Sequence, residues 1–251
     1  MHELNSAEEE DDPTLTADML EIYFNRGDTT IWCSTRSSLS APWNPPTMVS
    51  ELNSTDLDTA PRIVSGGTTI FISSNRSHSK ASGSYDIYVA SRAKRGDSWS
   101  TPQPVVELNS SATDYPGAPT SDLLTITLHS NRGGGPGGFD IFDATRPDTS
   151  TAWNSPKLVA AVNLSSTDRD PWVNTTATVL YFASDRQGGL GETDLWIATR
   201  SSPAATFTAP APVAAINSTS ADQDPWLSPD QTTIYFSSSR SGNTDLYVAK
   251  R

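Results

Sequence analysis

The stretch Asp168-Arg169-Asp170-Pro171-Trp172, continued by Leu180-Tyr181-Phe182-Ala183-Ser184-Asp185-Arg186, recurs as Asp222-Gln223-Asp224-Pro225-Trp226 with Ile234-Tyr235-Phe236-Ser237-Ser238-Ser239-Arg240. Working outward, a hydrophobic-Asn anchor precedes each copy, and three more anchors lie upstream: Leu4-Asn5, Leu52-Asn53, Leu108-Asn109, Val162-Asn163 and Ile216-Asn217. An acid stands five residues after each Asn (Glu10, Asp58, Asp114, Asp168, Asp222), and a Pro eight after it, with Gly117 the exception. An apolar run follows, then Arg76, Arg132, Arg186 or Arg240, then Asp-Ile-Tyr or a variant at Asp86, Asp140, Asp194 and Asp245. An aromatic residue followed by Pro closes four of the units, at Trp43, Trp99, Trp153 and Phe207. Five copies at fixed offsets define a repeat protein.

Within each copy the runs are short, rich in Val, Ile, Thr, Tyr and Phe, and bounded by Gly, Pro, Ser, Asn and Asp, which is the pattern of strands and turns. No helical period is sustained. Four short antiparallel strands in a unit of this length make a propeller blade. One blade cannot bury both faces, so the five must close a ring. The expectation is all-β: a five-bladed β-propeller of antiparallel four-stranded blades in one domain over 1–251. The blades fall at approximately 1–50, 51–106, 107–160, 161–214 and 215–251. The last copy has no aromatic-Pro segment after Asp245-Leu246-Tyr247. Either the natural protein extends N-terminally with a strand that completes this blade and an export signal, or the blade has three strands and an edge guarded by Lys250 and Arg251.

These repeats resemble the WD40-like propeller repeat of TolB-type bacterial proteins, through Asp168 to Trp172, Leu180 to Arg186, Gly188-Gly189-Leu190-Gly191 and Asp194-Leu195-Trp196-Ile197, and through the equivalent residues of the last copy. The resemblance implies an extracytoplasmic binding or scaffold propeller with no common active site. Repeat one departs from it, because Arg26 comes two residues early and Thr30 replaces an Asp.

Charge narrows the partners. With 17 Lys and Arg against 29 Asp and Glu, the net charge of -12 repels nucleic acid and anionic membrane. About a quarter of the residues are Ser or Thr, and no apolar run is long enough for a membrane helix. A single cysteine, Cys33, excludes an internal disulfide, and three histidines leave little for a His-based metal centre. A protein or glycan is the expected partner of a monomer in the periplasm or outside the cell.

Among candidate site residues, the acids five after each anchor form one set per ring, joined two residues on by Asp12, Asp170 and Asp224. Asp-x-Asp pairs supply oxygen ligands, so Ca²⁺ at Asp168, Asp170, Asp222 and Asp224 is one expectation. The competing role is structural: an Asp before a turn accepts backbone N–H bonds, and each repeat brings an Arg to neutralise it. Arg62, Trp172 and Trp226 occupy one repeat position where the other blades have Thr14 and Ala118, and such irregularity marks them as ligand-contact candidates, against inter-blade packing for the two indoles. His129 and Asp143 break the apolar pattern of blade three and suggest a polar pair. No G-x-S-x-G elbow accompanies them. A non-enzymatic binding propeller is therefore expected, with a glycoside hydrolase using funnel carboxylates as the alternative. Acids at like positions of like repeats argue against the unlike pKa values that hydrolysis needs.

Overall fold

The computed structural model describes residues 1–27, 29–64, 66–78 and 84–250. Each copy folds where β-branched and aromatic residues alternate with small polar ones. Blade one consists of β1 (Glu10–Leu15), β2 (Glu21–Arg26), β3 (Thr30–Thr35) and β4 (Thr47–Met48). Blade two holds β5 (Asp58–Ile63), β6 (Thr69–Ser74), β7 (Asp86–Ser91) and β8 (Gln103–Pro104). Blade three holds β9 (Asp114–Pro119), β10 (Thr125–Ser130), β11 (Asp140–Thr145) and β12 (Lys157–Leu158). Blade four holds β13 (Asp168–Val173), β14 (Val179–Ser184), β15 (Asp194–Thr199) and β16 (Ala211–Pro212). Blade five has three strands, β17 (Asp222–Leu227), β18 (Thr233–Ser238) and β19 (Asp245–Lys250). Every sheet is an antiparallel meander, and no helix occurs among the described residues.

The first strands of the blades pack on one another in sequence and β17 returns to β1, so they line the axis of a closed ring. Ring closure rests on the anchors. Asn53 accepts the Ile31 N–H at 2.8 Å and donates to the Ile31 carbonyl at 2.9 Å, tying blade two to the third strand of blade one. Asn109, Asn163 and Asn217 repeat the pair of bonds at Ile87, Ile141 and Leu195. Asn5 makes the same two bonds to Leu246, at 3.0 and 3.1 Å, and so joins the first copy to the last. Glu10 N–H also donates to the Thr244 carbonyl, as Asp168 N–H does to that of Phe139. The fifth joint is thus built like the other four.

The acids five after the anchor are fully buried and turn away from the axis into their own blades. Asp168 accepts from the Leu164 N–H, Ser184 Oγ and Arg186, whose guanidinium also reaches the Val162 carbonyl. Asp58–Arg76, Asp114–Arg132 and Asp222–Arg240 are the same pair. Repeat one solves the early arginine by chain length: Arg26 Nε meets Glu10 Oε1 at 2.8 Å, the Glu supplying one more methylene where the others have Asp. Arg26 still caps the Leu4 carbonyl at 2.9 Å, as its counterparts cap theirs. These five pairs belong to the framework, so Asp168 and Asp222 do not stand with Asp170 and Asp224 at the axis, contrary to the ligand set expected from the sequence.

Candidate functional site

Four of the five inner strands carry a bulge at one place. In blade one Asp11 pairs with Asn25 and Thr14 with Tyr23, so two residues oppose one; blades two, four and five shift identically. The residue at the bulge is left-handed in each: Asp12 (φ 53°), Ala60 (φ 49°), Asp170 (φ 54°) and Asp224 (φ 54°). Asp tolerates this conformation better than most residues, because its short polar side chain bonds locally. A bulge re-aims its side chain, and here it sends successive residues to the channel instead of to opposite faces. Three carboxylates from blades one, four and five converge on the axis.

Carboxylate oxygens of Asp12, Asp170 and Asp224 lie within 4.8 Å of one another, and all three residues are buried. Arg62 reaches across from blade two to donate to Asp12 Oδ1 at 2.7 Å. Asn25 Nδ2 donates to Asp12 Oδ2 at 3.1 Å, and Ser237 Oγ to Asp224 at 2.5 Å. Burial and the Asp224 charge push the Asp12 carboxyl up to about 7 despite Arg62. Burial and Asp170 push Asp224 up to about 6. Burial also raises Asp170, against Arg169. Like charges this close do not all ionise, so the cluster retains a proton near neutrality. Burial opposes the charge on Arg62, but Asp12, Asp224 and Asp170 outweigh it and hold the guanidinium protonated.

His129 completes the floor. Its Nδ1 accepts the Asp170 N–H at 3.2 Å, which leaves the ring proton on Nε2, 3.7 Å from Asp170 Oδ1. Burial, then Arg62 and Arg169, hold its pKa well below the ordinary value, so the ring is neutral. The polar pair expected between His129 and Asp143 does not form. Asp143 lies opposite Thr127 and His129 opposite Ile141, and the imidazole turns inward to blade four. Asp143 instead faces the Arg200 and Lys157 charges, which partly offset the upward push of burial on its carboxyl.

Above the carboxylates opens a funnel of about 400 Å³. One wall is aromatic: Tyr85 stacks on Tyr115 (centroids 5.4 Å, 29°), Tyr115 on His129 (4.9 Å, 18°), and Phe139 meets His129 edge-on at 5.5 Å. The opposite wall is polar, with Glu9, Asp11, Arg169 and Gln223, and Arg169 donates to Gln223 Oε1 at 2.7 Å. Below the carboxylates, Trp172 and Trp226 sit with Arg62, Thr14 and Ala118 around a cavity of only about 40 Å³. Both indoles are buried and meet Tyr181 and Tyr235 edge-on at 6.2 and 5.8 Å. Of the three ligand-contact candidates, Arg62 therefore joins the carboxylates, while Trp172 and Trp226 plug the channel beneath them. A calcium ion held by Asp12, Asp170 and Asp224 would have to displace Arg62 and the retained proton.

The aromatic wall was not anticipated from the sequence. Its signal is a break in the repeat: the residue preceding the Asp-Ile-Tyr element is Thr29, Thr193 or Thr244 in blades one, four and five, but Tyr85 and Phe139 in blades two and three.

No protein-family model matches the chain, and no curated protein matches it. Among solved structures, a TolB protein of Agrobacterium tumefaciens superposes with a TM-score of 0.61 at 15% identity, over 99% of this chain and 79% of that one. TolB of Acinetobacter baumannii gives 0.59 at 17% identity, with 99% of this chain matching 53% of that one. A thermostable family-43 glycoside hydrolase gives 0.67 at 11% identity, covering 98% and 91%. At these identities the likeness is one of fold: the five-bladed propeller expected from the repeats is a fold shared with TolB proteins and a family-43 glycoside hydrolase.

Proposed function

We propose that the chain is a non-enzymatic binding propeller, exported to the periplasm or the cell surface, whose funnel face receives a protein or glycan partner. The observation that carries this reading is the commitment of the channel carboxylates to one another. Glycoside hydrolysis needs carboxyl groups free to face a sugar or a water. Asp12, Asp170 and Asp224 crowd within 4.8 Å, clamped by Arg62, Asn25 and Ser237. The stacked rings above them offer a flat apolar face beside acids, a surface suited to a sugar ring or to an aromatic or cationic side chain.

One finding favours the hydrolase alternative. The three acids occupy like positions but unlike surroundings, Asp12 against Arg62, Asp170 against His129 and Asp224 against Ser237, and unlike surroundings are what lets one carboxyl act as acid and another as base. A single preparation tests both readings. On a glycan panel, binding without turnover that is weakened by Tyr115→Ala supports the binding module. Release of reducing sugar that disappears in Asp170→Asn overturns it.

A further inference from the structure

The charge of the funnel is not balanced by its own side chains. Five carboxyl groups meet there, Glu9 and Asp11 on the wall and Asp12, Asp170 and Asp224 on the floor. Two guanidiniums face them. Arg62 is bonded to Asp12, and Arg169 is held beside Asp170, Nε to Oδ2 at 3.6 Å, by its bond to Gln223. With one proton shared among the crowded acids of the floor, about two negative charges remain unanswered. Glu9 stands exposed on the wall with no ion-pair partner among the described residues. Asp224 bonds to Ser237 and Asp12 in place of an arginine.

The aromatic wall sharpens that excess. Tyr85, Tyr115, Phe139 and the neutral His129 line the other side of the funnel, and walls of low polarity focus the field of the acids instead of spreading it into water. The rings also attract a cation directly, through the negative face of the π-system, and more strongly where water is excluded. Burial first, then Tyr85, Asp12 and Asp170, push the Tyr115 hydroxyl above its ordinary range, so it stays neutral beside the acids and adds a hydrogen-bonding group to the wall. An anion is repelled from such a cavity. A neutral sugar ring covers the aromatic wall and leaves the charges unanswered. The volume of about 400 Å³ accommodates one group the size of a side chain or a small molecule, at the lower end of ligand sites.

We propose that the funnel binds an organic cation, a guanidinium or ammonium group on a short apolar stem, with its charge among Glu9, Asp11 and the floor carboxylates and its stem against the rings of Tyr85, Tyr115 and Phe139. This inference rests on the funnel being a binding site and names the chemistry that the site takes. A basic side chain of a partner protein and a free amine such as agmatine present the same group. The net charge of -12 draws either of them from solution. A guanidinium forks onto carboxylate oxygens and lies flat on a ring, so it binds more tightly than an ammonium. Its charge supplies what Arg62 and Arg169 leave short, and no covalent bond is made or broken.

The test is calorimetric titration of the full chain with butylguanidinium, butylammonium, the neutral isostere butylurea, butyrate, and a Gly-Arg-Gly peptide blocked at both ends. Butylguanidinium binds saturably and more tightly than butylammonium, butylurea and butyrate do not bind, and added salt weakens the cations. Glu9→Gln, a change on an exposed side chain, lowers the affinity by about threefold. Tyr115→Leu lowers it by about fivefold, with the melting temperature measured alongside. Asp143→Asn, outside the funnel lining, leaves it unchanged. Tighter binding of the peptide than of butylguanidinium assigns the cation to a protein side chain, and the reverse assigns it to a free amine. The inference is overturned if butylurea or butyrate binds as well as butylguanidinium, or if no cation binds at millimolar concentration. Neutral glycans that bind through Tyr115 where cations do not overturn this inference and leave the binding module standing. Reducing sugar released in an Asp170-dependent manner overturns the module itself.

Discussion

The proton held among the channel carboxylates has a measurable cost. The Asp12 pKa rises from 3.8 in the unfolded chain to about 7 in the fold, so between these values the native state binds a proton that the unfolded state has released. Stability then falls with rising pH, because ∂ΔG/∂pH follows protons bound unfolded minus protons bound native, here close to minus one. The contribution is complete below the unfolded value, declines by about 1.4 kcal/mol per pH unit, and is lost once the pH passes the folded value. From about pH 5 to about pH 7 it amounts to roughly 3 kcal/mol, a large part of the stability of a typical domain. Asp12→Asn removes this group's titration and leaves those of Asp170 and Asp224: Asn accepts the left-handed backbone at φ 53°, keeps the size, and retains an oxygen for Arg62.

Urea denaturation across this pH range, followed by fluorescence of the buried Trp172 and Trp226 beneath the cluster, gives the two stability curves. The wild-type curve falls toward neutrality relative to that of Asp12→Asn by about 3 kcal/mol, so that the variant gains on the parent as pH rises. Curves that stay parallel within about 0.5 kcal/mol would refute the retained proton. With it would go the claim that the three acids are too close to ionise together.

Four further outcomes follow from the framework. Asp168→Ala leaves Arg186 buried without its partner and costs about 3–5 kcal/mol in urea unfolding, whereas removing both Asp168 and Arg186 costs less than the sum of the single changes. Arg240→Ala costs less than Arg186→Ala in the same assay, because the Arg240 side chain is 32% exposed against 5%. Asn53→Ala removes both bonds to Ile31 and a third to the Val49 carbonyl at 2.9 Å, and lowers stability by about 2–3 kcal/mol, with amide exchange at Ile31 as the local readout. Gly117→Ala places a Cβ 2.5 Å from the Pro171 carbonyl oxygen and 2.5 Å from Thr127 Oγ1, so the neighbouring inner strand must shift, and the melting temperature drops by the equivalent of about 1–3 kcal/mol.

The number of blades, their strands and the arginine partners of the buried acids were readable from the sequence, since each is marked by a residue type at an offset that recurs in at least four of the five copies. The channel was only half readable, and the bulge explains why. Strict alternation puts Asp168 and Asp170 on one face of β13 and Arg169 on the other. In the fold Arg169 and Asp170, adjacent in sequence, both line the funnel, while Asp168 turns into its blade. One left-handed residue reverses the assignment, and a sequence marks it only by the Pro that follows, which is also a common turn signal. Blade three supports this account from the other side. It has Pro116 where the others have a left-handed residue, its register shifts elsewhere along the strand, and it sends no carboxylate to the axis. Tyr115 and His129 fill the space instead, and Gly117 lets blade four approach. The acids of the funnel thus come from the three blades whose inner-strand bulge carries an Asp, while its rings come from blades two and three, where that position holds Ala60 or Pro116 and where Tyr85 and Phe139 precede the third strand.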